Sequence, residues 1–150
     1  MEIIYREMSS DDYDNLIRLW RMVEGVGLSE ADSPEGIAQF LQRNPGLSMV
    51  AYEGTTLVGA LMCGHDGRRG YLHHLAIHPH YRHQGIAKTL VEKCLQKLAQ
   101  EGITKCPLFV LRENRNALSF WEHIGWTERQ ELVMMSKYTE SAKSTQGLGG

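Results

Sequence analysis

Apolar residues along the chain follow two rhythms. After SSDD, a run of capping groups, Leu16, Leu19, Trp20 and Val23 recur at near-helical spacing and predict a helix over about 10–23. Ahead of it, EIIYREM (2–8) has the isoleucine and tyrosine content of a first strand. Ser33 and Pro34 cap and open a second helix through Phe40 and Leu41, because proline has a preset backbone angle and lacks an amide that would be unpaired there. NPG (44–46) ends that segment. LSMVAYEGTTLVGALMCG reads as two strands joined at Glu53 and Gly54, and HDGRRG turns the chain into a third, YLHHLAI. From Gly85 the period changes: Ile86, Leu90, Val91, Cys94, Leu95 and Leu98 form one stripe that Gly102 stops. CPLFVL resumes the strand pattern, and Asn114 or Asn116 starts a short helix with Ala117, Phe120, Trp121 and Ile124 on one face. ELVMMSKY reads as the last strand.

This order predicts a mixed α/β fold around a central antiparallel meander. One domain is expected over 1–138, with 139–150 a small, polar, glycine-rich tail lacking a fold of its own. A chain of 150 residues that is 42% hydrophobic suits one compact core without disulfide staples. Its 16 basic and 18 acidic residues leave a formal charge of -2, so there is no broad electrostatic signal for nucleic acid or an anionic membrane. Cys63, Cys94 and Cys106 are odd in number and widely spaced, which argues against a disulfide framework or a cysteine-rich zinc module and for a reducing compartment. The amino end turns acidic where a signal peptide would be apolar, and no apolar run reaches the roughly 18 residues of a membrane helix. The cytoplasm is the expected location.

The stretch HPHYRHQGIA (78–87) carries the local chemistry. It lies between a strand and a helix, where the first helical amides lack partners and the helix dipole favours negative charge. Arg82 adds a charge-assisted contact, and Gly85 permits an approach that a side chain would block. The physical signal is an anion site. It lacks the first glycine of a dinucleotide fingerprint and the lysine and hydroxyl residue of a nucleotide P-loop, which disfavours hydride transfer and ATP chemistry. His78 and His80 could meet across the bend, but no compact cysteine or carboxylate set completes a metal site, and none is expected.

Two ordered motifs make the signal more specific. LHHLAIHPHYRHQGIAKTLVE contains an R-x-x-G-x-A element at Arg82, Gly85 and Ala87, and ENRNALSFWEHIGW contains Asn114, Ala117, Trp121, Gly125 and Trp126 in an N-x-x-A-x-x-x-aromatic pattern followed by glycine and an aromatic. In these stretches the chain resembles the GNAT acyltransferase superfamily. The resemblance implies a GNAT-like mixed, largely antiparallel central sheet with flanking helices. It also implies acetyl-CoA as acyl donor, with the pyrophosphate held around Arg82, His83, Gln84, Gly85, Ile86 and Ala87. Backbone groups at Leu75, Ala76 and Ile77 would hold the extended pantetheine arm, and Asn114 would orient that arm or the strand separation admitting it. Trp121 stands where many relatives carry a tyrosine proposed to protonate the leaving sulfur, and an indole cannot serve as that acid.

The implied reaction moves an acetyl group to an amine on a small molecule, peptide or protein. Strand alternation places Tyr71 and His73 on one face and His74 on the other. His73 is the expected base or water-relay residue, since a neutral imidazole accepts a proton near physiological pH. Glu24, Glu30 and Asp32 would meet a cationic acceptor, with Tyr71 and Trp121 shaping its pocket. A homodimer is the expected assembly. The rival function is a non-enzymatic acyl-CoA binding module that kept the anion turn and lost proton handling with Trp121.

Overall fold

A computed structural model describes residues 2–140. β1 (Ile4–Glu7), β2 (Met49–Glu53), β3 (Thr56–His65) and β4 (Gly70–Ile77) form one sheet in chain order, each neighbouring pair antiparallel. α1 (Tyr13–Met22) and α2 (Pro34–Arg43) cover one face. α3 (Ile86–Gln100) and α4 (Arg115–His123) contribute to the core on the other. The mixed, antiparallel-centred architecture expected from the sequence is therefore present.

Both sheet faces are dry because β3 is apolar on both. Leu57, Ala60 and Met62 pack with Leu16, Leu19 and Trp20 of α1 and Ile37 of α2, while Val58, Leu61 and Cys63 pack with Leu90, Val91, Cys94 and Leu98 of α3. Burying a leucine-sized side chain contributes about 1.5–3 kcal/mol, so the α3 stripe alone anchors that helix firmly.

Three expectations need correction. CPLFVL does not become a strand: the segment 104–112 meets β4 through one parallel bridge, Leu72 to Leu108, and through the Gly70 amide, which donates to the Lys105 carbonyl at 3.0 Å. ELVMMSKY is likewise not a strand, and Leu132, Val133, Met134 and Met135 are 61 to 89% exposed. Alternating apolar character marks a segment able to join a sheet, but pairing needs a neighbouring ladder, which neither segment finds. The third correction concerns β4. Ala60 pairs with Ala76 and Met62 with His73, so His74 and Leu75 together oppose the single residue Leu61. This bulge suspends alternation and turns His73 and His74 toward the same helical layer. The expectation for the tail at 139–150 falls almost wholly outside the described residues.

Candidate active site

The turn from β4 into α3 is fixed on the sheet side and open on the other. The His78 amide donates to the Val58 carbonyl at 2.8 Å, and the Tyr81 hydroxyl donates to Glu53 at 2.6 Å. These bonds fasten the turn to β3 and to the end of β2. The chain then adopts left-handed angles at His83 (φ 63°) and Gly85 (φ 80°) before α3 begins. Glycine suits the second position because it carries no Cβ penalty there.

The helix starts differ in how their first amides are met. Ser33 Oγ accepts from the Gly36 amide at 3.0 Å at the start of α2, and Asn114 Oδ1 accepts from the Ala117 amide at 3.1 Å at the start of α4. α3, with 15 residues, has no side-chain cap. Its first amides and dipole are left for an outside acceptor. A Cβ built on Gly85 would meet only open space, and Arg82 through Gln84 are exposed beside it. Ile86 is buried and Ala87 half-buried, which seats the first helical turn against the core. The residues present therefore suit the pyrophosphate of a CoA thioester.

Upstream, β4 offers a free edge. Leu72 is bridged to Leu108, but among the described residues no pairing continues along that side through Leu75, Ala76 and Ile77. Their outward backbone groups remain for an extended ligand arm. Asn114 Oδ1 caps α4, and its Nδ2 lies so close to Gly25 that a Cβ on that glycine would collide with it. Asn114 thereby joins the start of α4 to the loop after α1.

At the inner end of β4 the bulge assembles a titratable cluster. His74 has a left-handed φ of 55°, unusual for a residue with a side chain. Its Nε2 lies 2.9 Å from Asp32 Oδ1, and its ring packs edge-on against Trp20 with centroids 5.0 Å apart. Asp32 ends a 3-10 turn, Glu30–Asp32, whose capping box fixes it: the Ser29 amide donates to Asp32 Oδ2 at 3.0 Å. The Tyr13 hydroxyl donates to the Asp32 carbonyl at 2.7 Å. Burial disfavours the Asp32 carboxylate, but the His74 hydrogen bond, the Ser29 amide and the charge of both histidines hold it below its ordinary 3.8.

His73 stacks on Tyr71 at 6.3 Å and meets Phe40 edge-on at 5.9 Å. Burial, then the neighbouring His74, lowers its affinity for a proton from the ordinary 6.5, while Asp32 acts in the opposite direction. Burial thus favours the neutral ring of His73. Two of the thiols are held protonated. The hydrogen bond with Cys94 and burial push Cys63 far up, and burial pushes Cys106 up to about 12.

The remaining predicted residues scatter. Glu24 and Glu30 are exposed in the connection between α1 and α2, whereas Asp32 is 7% exposed and already bound. Trp121 is 8% exposed and packs edge-on with Phe120 and Trp126 at about 5 Å, a core position with little ring surface left for an acceptor. His78 and His80 pack edge-on at 5.4 Å, and among the described residues no three metal-ligating side chains gather. Sequence reading missed the Asp32–His74 pair, whose members are 42 positions apart. The S-x-x-D capping box at Ser29 was the available sign that Asp32 would be held in place.

An uncapped helix start below a free strand edge defines a fold that binds an anionic, extended cosubstrate. The profile of the acetyltransferase (GNAT) family matches residues 12–126, and the chain belongs to that family. An acetyltransferase of Yersinia pestis (strain Pestoides F) is 33% identical over 138 residues, covering 91% of this chain and 94% of the relative. Among solved structures, the PaiA N-acetyltransferase of Thermoplasma acidophilum in complex with coenzyme A is 26% identical with a TM-score of 0.74, covering 85% of this chain and 91% of that one. The NatC complex bound to Gag peptide and CoA is 28% identical with a TM-score of 0.69, and the match covers 87% of each chain. The chain is an acetyl-CoA-dependent acetyltransferase, with an amine-bearing acceptor.

Proposed function

We propose that the β4–α3 turn and the β4 bulge divide the work of N-acetyl transfer to a cationic amine. The uncapped start of α3, flanked by Arg82 and Gly85, is the observation that carries this reading. Arg82, His83, Gln84, Gly85, Ile86 and Ala87 hold the pyrophosphate, and the free edge at Leu75, Ala76 and Ile77 holds the arm. Bound acetyl-CoA supplies a thioester carbonyl and a thiolate leaving group whose ordinary acidity, with a pKa of about 8.5, removes the need for a dedicated acid in place of Trp121. Holding donor and acceptor together removes the entropy of bringing the reactants together at each turnover.

The amine has to lose a proton before or during attack. His73, neutral through burial, takes part by holding the relay water beside it, with Tyr71 stacked alongside. Because Cys63 and Cys106 stay protonated, neither offers a thiolate to the thioester, and transfer runs directly from donor to amine. Glu24 and Glu30 attract a positively charged acceptor at the mouth, and Asn114 fixes the neighbouring wall through α4.

No helix among the described residues is long and apolar enough to cross a membrane. We further infer a cytoplasmic enzyme, on the three free thiols, with residues 1–138 as the transferase domain and 139–150 as an appended tail. Near-balanced charge supports the absence of a nucleic-acid partner, and a homodimer is the proposed assembly.

The deciding experiment incubates purified protein with acetyl-CoA and a panel of amines and peptides, reading acetylated products by intact mass alongside CoA release. Product formation matched to CoA release is expected, with hydrogen-exchange protection by CoA at residues 84–87. CoA bound at a remote surface, or released without an acetylated amine, overturns the reading.

A further inference from the structure

We propose that Asp32 and His74 form a carboxylate–imidazole dyad that receives the proton leaving the acceptor amine, with Asp32 as its positioning residue. This rests on the acetyl-transfer reading above and extends it to the proton's destination. Three observations converge. The bulge places His74 beside His73 on the side of the sheet facing α1 and α2, just past Leu72, the last β4 residue bridged to the 104–112 segment. The strand therefore opens where this imidazole sits. Ile77 pairs with Gly59 and the bulged His74 lies opposite Leu61, two β3 residues further, or about 7 Å at roughly 3.3 Å per residue, which puts His74 upstream of the phosphate turn.

The second observation is the pairing. Asp32 is 7% exposed, its Oδ2 is fixed by the Ser29 amide, and its Oδ1 faces His74 Nε2 at 2.9 Å. With Nε2–H donating to the carboxylate, Nδ1 keeps the ring's lone pair. No other hydrogen bond engages that imidazole among the described residues, and its side chain remains 17% exposed. A base oriented by a buried carboxylate has one productive direction and one tautomer. The third observation is local strain. The left-handed backbone at His74 is costly for a residue with a Cβ, and it persists where the surrounding contacts define it. Beside it, the buried Trp20 Nε1 has no hydrogen-bond partner among the described residues, an unmet donor on the indole that packs against the same ring.

The step balances without another reagent. The amine nitrogen forms a bond to the thioester carbonyl carbon, and the carbon–sulfur bond breaks with its electron pair leaving on CoA sulfur. The ammonium proton passes to His74 Nδ1 through water held at His73 before attack, and the second N–H proton, lost as the amide forms, goes through solvent to the departing thiolate. Asp32 stabilises the resulting imidazolium and is not itself protonated. The titratable groups facing His74 are Asp32 from the loop before α2, His73 on the same strand, and Tyr13 of α1 through its bond to the Asp32 carbonyl.

The test compares His74→Gly, His74→Asn, Asp32→Asn and wild type with one acceptor identified in the amine panel. Glycine is free of the left-handed penalty and asparagine tolerates the conformation, so both His74 variants should retain the fold, checked by thermal unfolding and CoA affinity. Loss of a positioned base should lower kcat by about 100-fold and remove the acidic limb of the kcat–pH profile. Added imidazole should restore at least about tenfold of that loss in His74→Gly. Asp32→Asn should move the acidic limb to lower pH, because the imidazolium loses its anionic partner. A purely structural role would change stability or KM while leaving the limb in place. Retention of the wild-type pH profile in both His74 variants, or failure of imidazole to rescue folded His74→Gly, overturns the dyad alone. Absence of acetyl transfer by wild type to every amine overturns the activity reading beneath it as well.

Discussion

At the inner end of β4, His73 and His74 are half-buried against α1 and α2, one ring between Tyr71 and Phe40 and the other held by Asp32 and Trp20. At the outer end, His80 and His83 are exposed, and the side chain that suits ligand binding there is Arg82. The same residue type occupies two environments within ten residues of each other, and the backbone decides what each copy can do. A bulge places the inner pair together in partial burial, where desolvation and then the neighbouring His74 lower the proton affinity of His73. Two left-handed turns expose the outer set and direct helix amides toward solvent, where anion binding needs no imidazole.

The largest effect that would break this contrast lies at Gly85. Gly85→Val imposes a side chain on a left-handed position, at about 1–3 kcal/mol, and fills the open space where phosphate is expected. CoA affinity measured by calorimetry should fall about 100-fold, since each 1.4 kcal/mol is roughly tenfold. Binding within about threefold of wild type would remove the phosphate role from the outer end. Arg82→Ala should weaken CoA by about 10- to 100-fold, the scale of one charge-assisted hydrogen bond. It should also reduce the salt dependence of binding and leave thermal stability unchanged, because Arg82 is exposed and has no hydrogen bond among the described residues. A loss of stability without weaker CoA binding would count against the division between the ends.

The outer end was legible because its information is local. R-x-x-G-x-A lies within one turn, and the helical stripe after Gly85 announces the element whose amides it exposes. The inner end depends on contacts that local spacing does not encode. Alternation put His73 and His74 on opposite faces, which is correct for a regular strand and fails when His74 and Leu75 oppose one residue. Asp32 was considered for an acceptor's charge, yet its carboxylate is occupied by His74 and Ser29. Similar reasoning explains CPLFVL and ELVMMSKY: strand-like patterns gave no information about whether a neighbouring edge would accept them. α1, α2, α3 and α4 were readable because their stripes report burial along each helix itself.

Acid should expose a smaller difference at the inner end. Folding depresses the His73 proton affinity, so the unfolded chain binds a proton first as pH falls through its ordinary 6.5. The stability associated with the neutral folded ring is present above that value and declines below it. Between about pH 7.5 and about pH 5.5, the denaturant midpoint of wild type should fall more than that of His73→Asn. Asp32 does not account for this difference, since its affinity is depressed below 3.8 and its contribution is lost only at more acidic pH. Equal declines in wild type and variant would show that His73 is no more costly to protonate in the folded protein than in the unfolded one.

The smallest expected effect is at His80. Its ring is exposed and touches His78 edge-on at 5.4 Å, while the hydrogen bond at this position belongs to its backbone amide, which donates to His78 Nδ1 at 3.1 Å. His80→Ala removes the ring contact and leaves that amide in place. Exposed substitutions of this kind usually alter stability by no more than about 0.5 kcal/mol, and acetyl transfer should remain within about twofold. A chelator should likewise leave both wild type and His80→Ala unchanged, because His78 and His80 lack the further ligands that a closed metal site uses. Metal-dependent activity that disappears with His80 would give the outer histidines a chemical role and erase the contrast with His73 and His74.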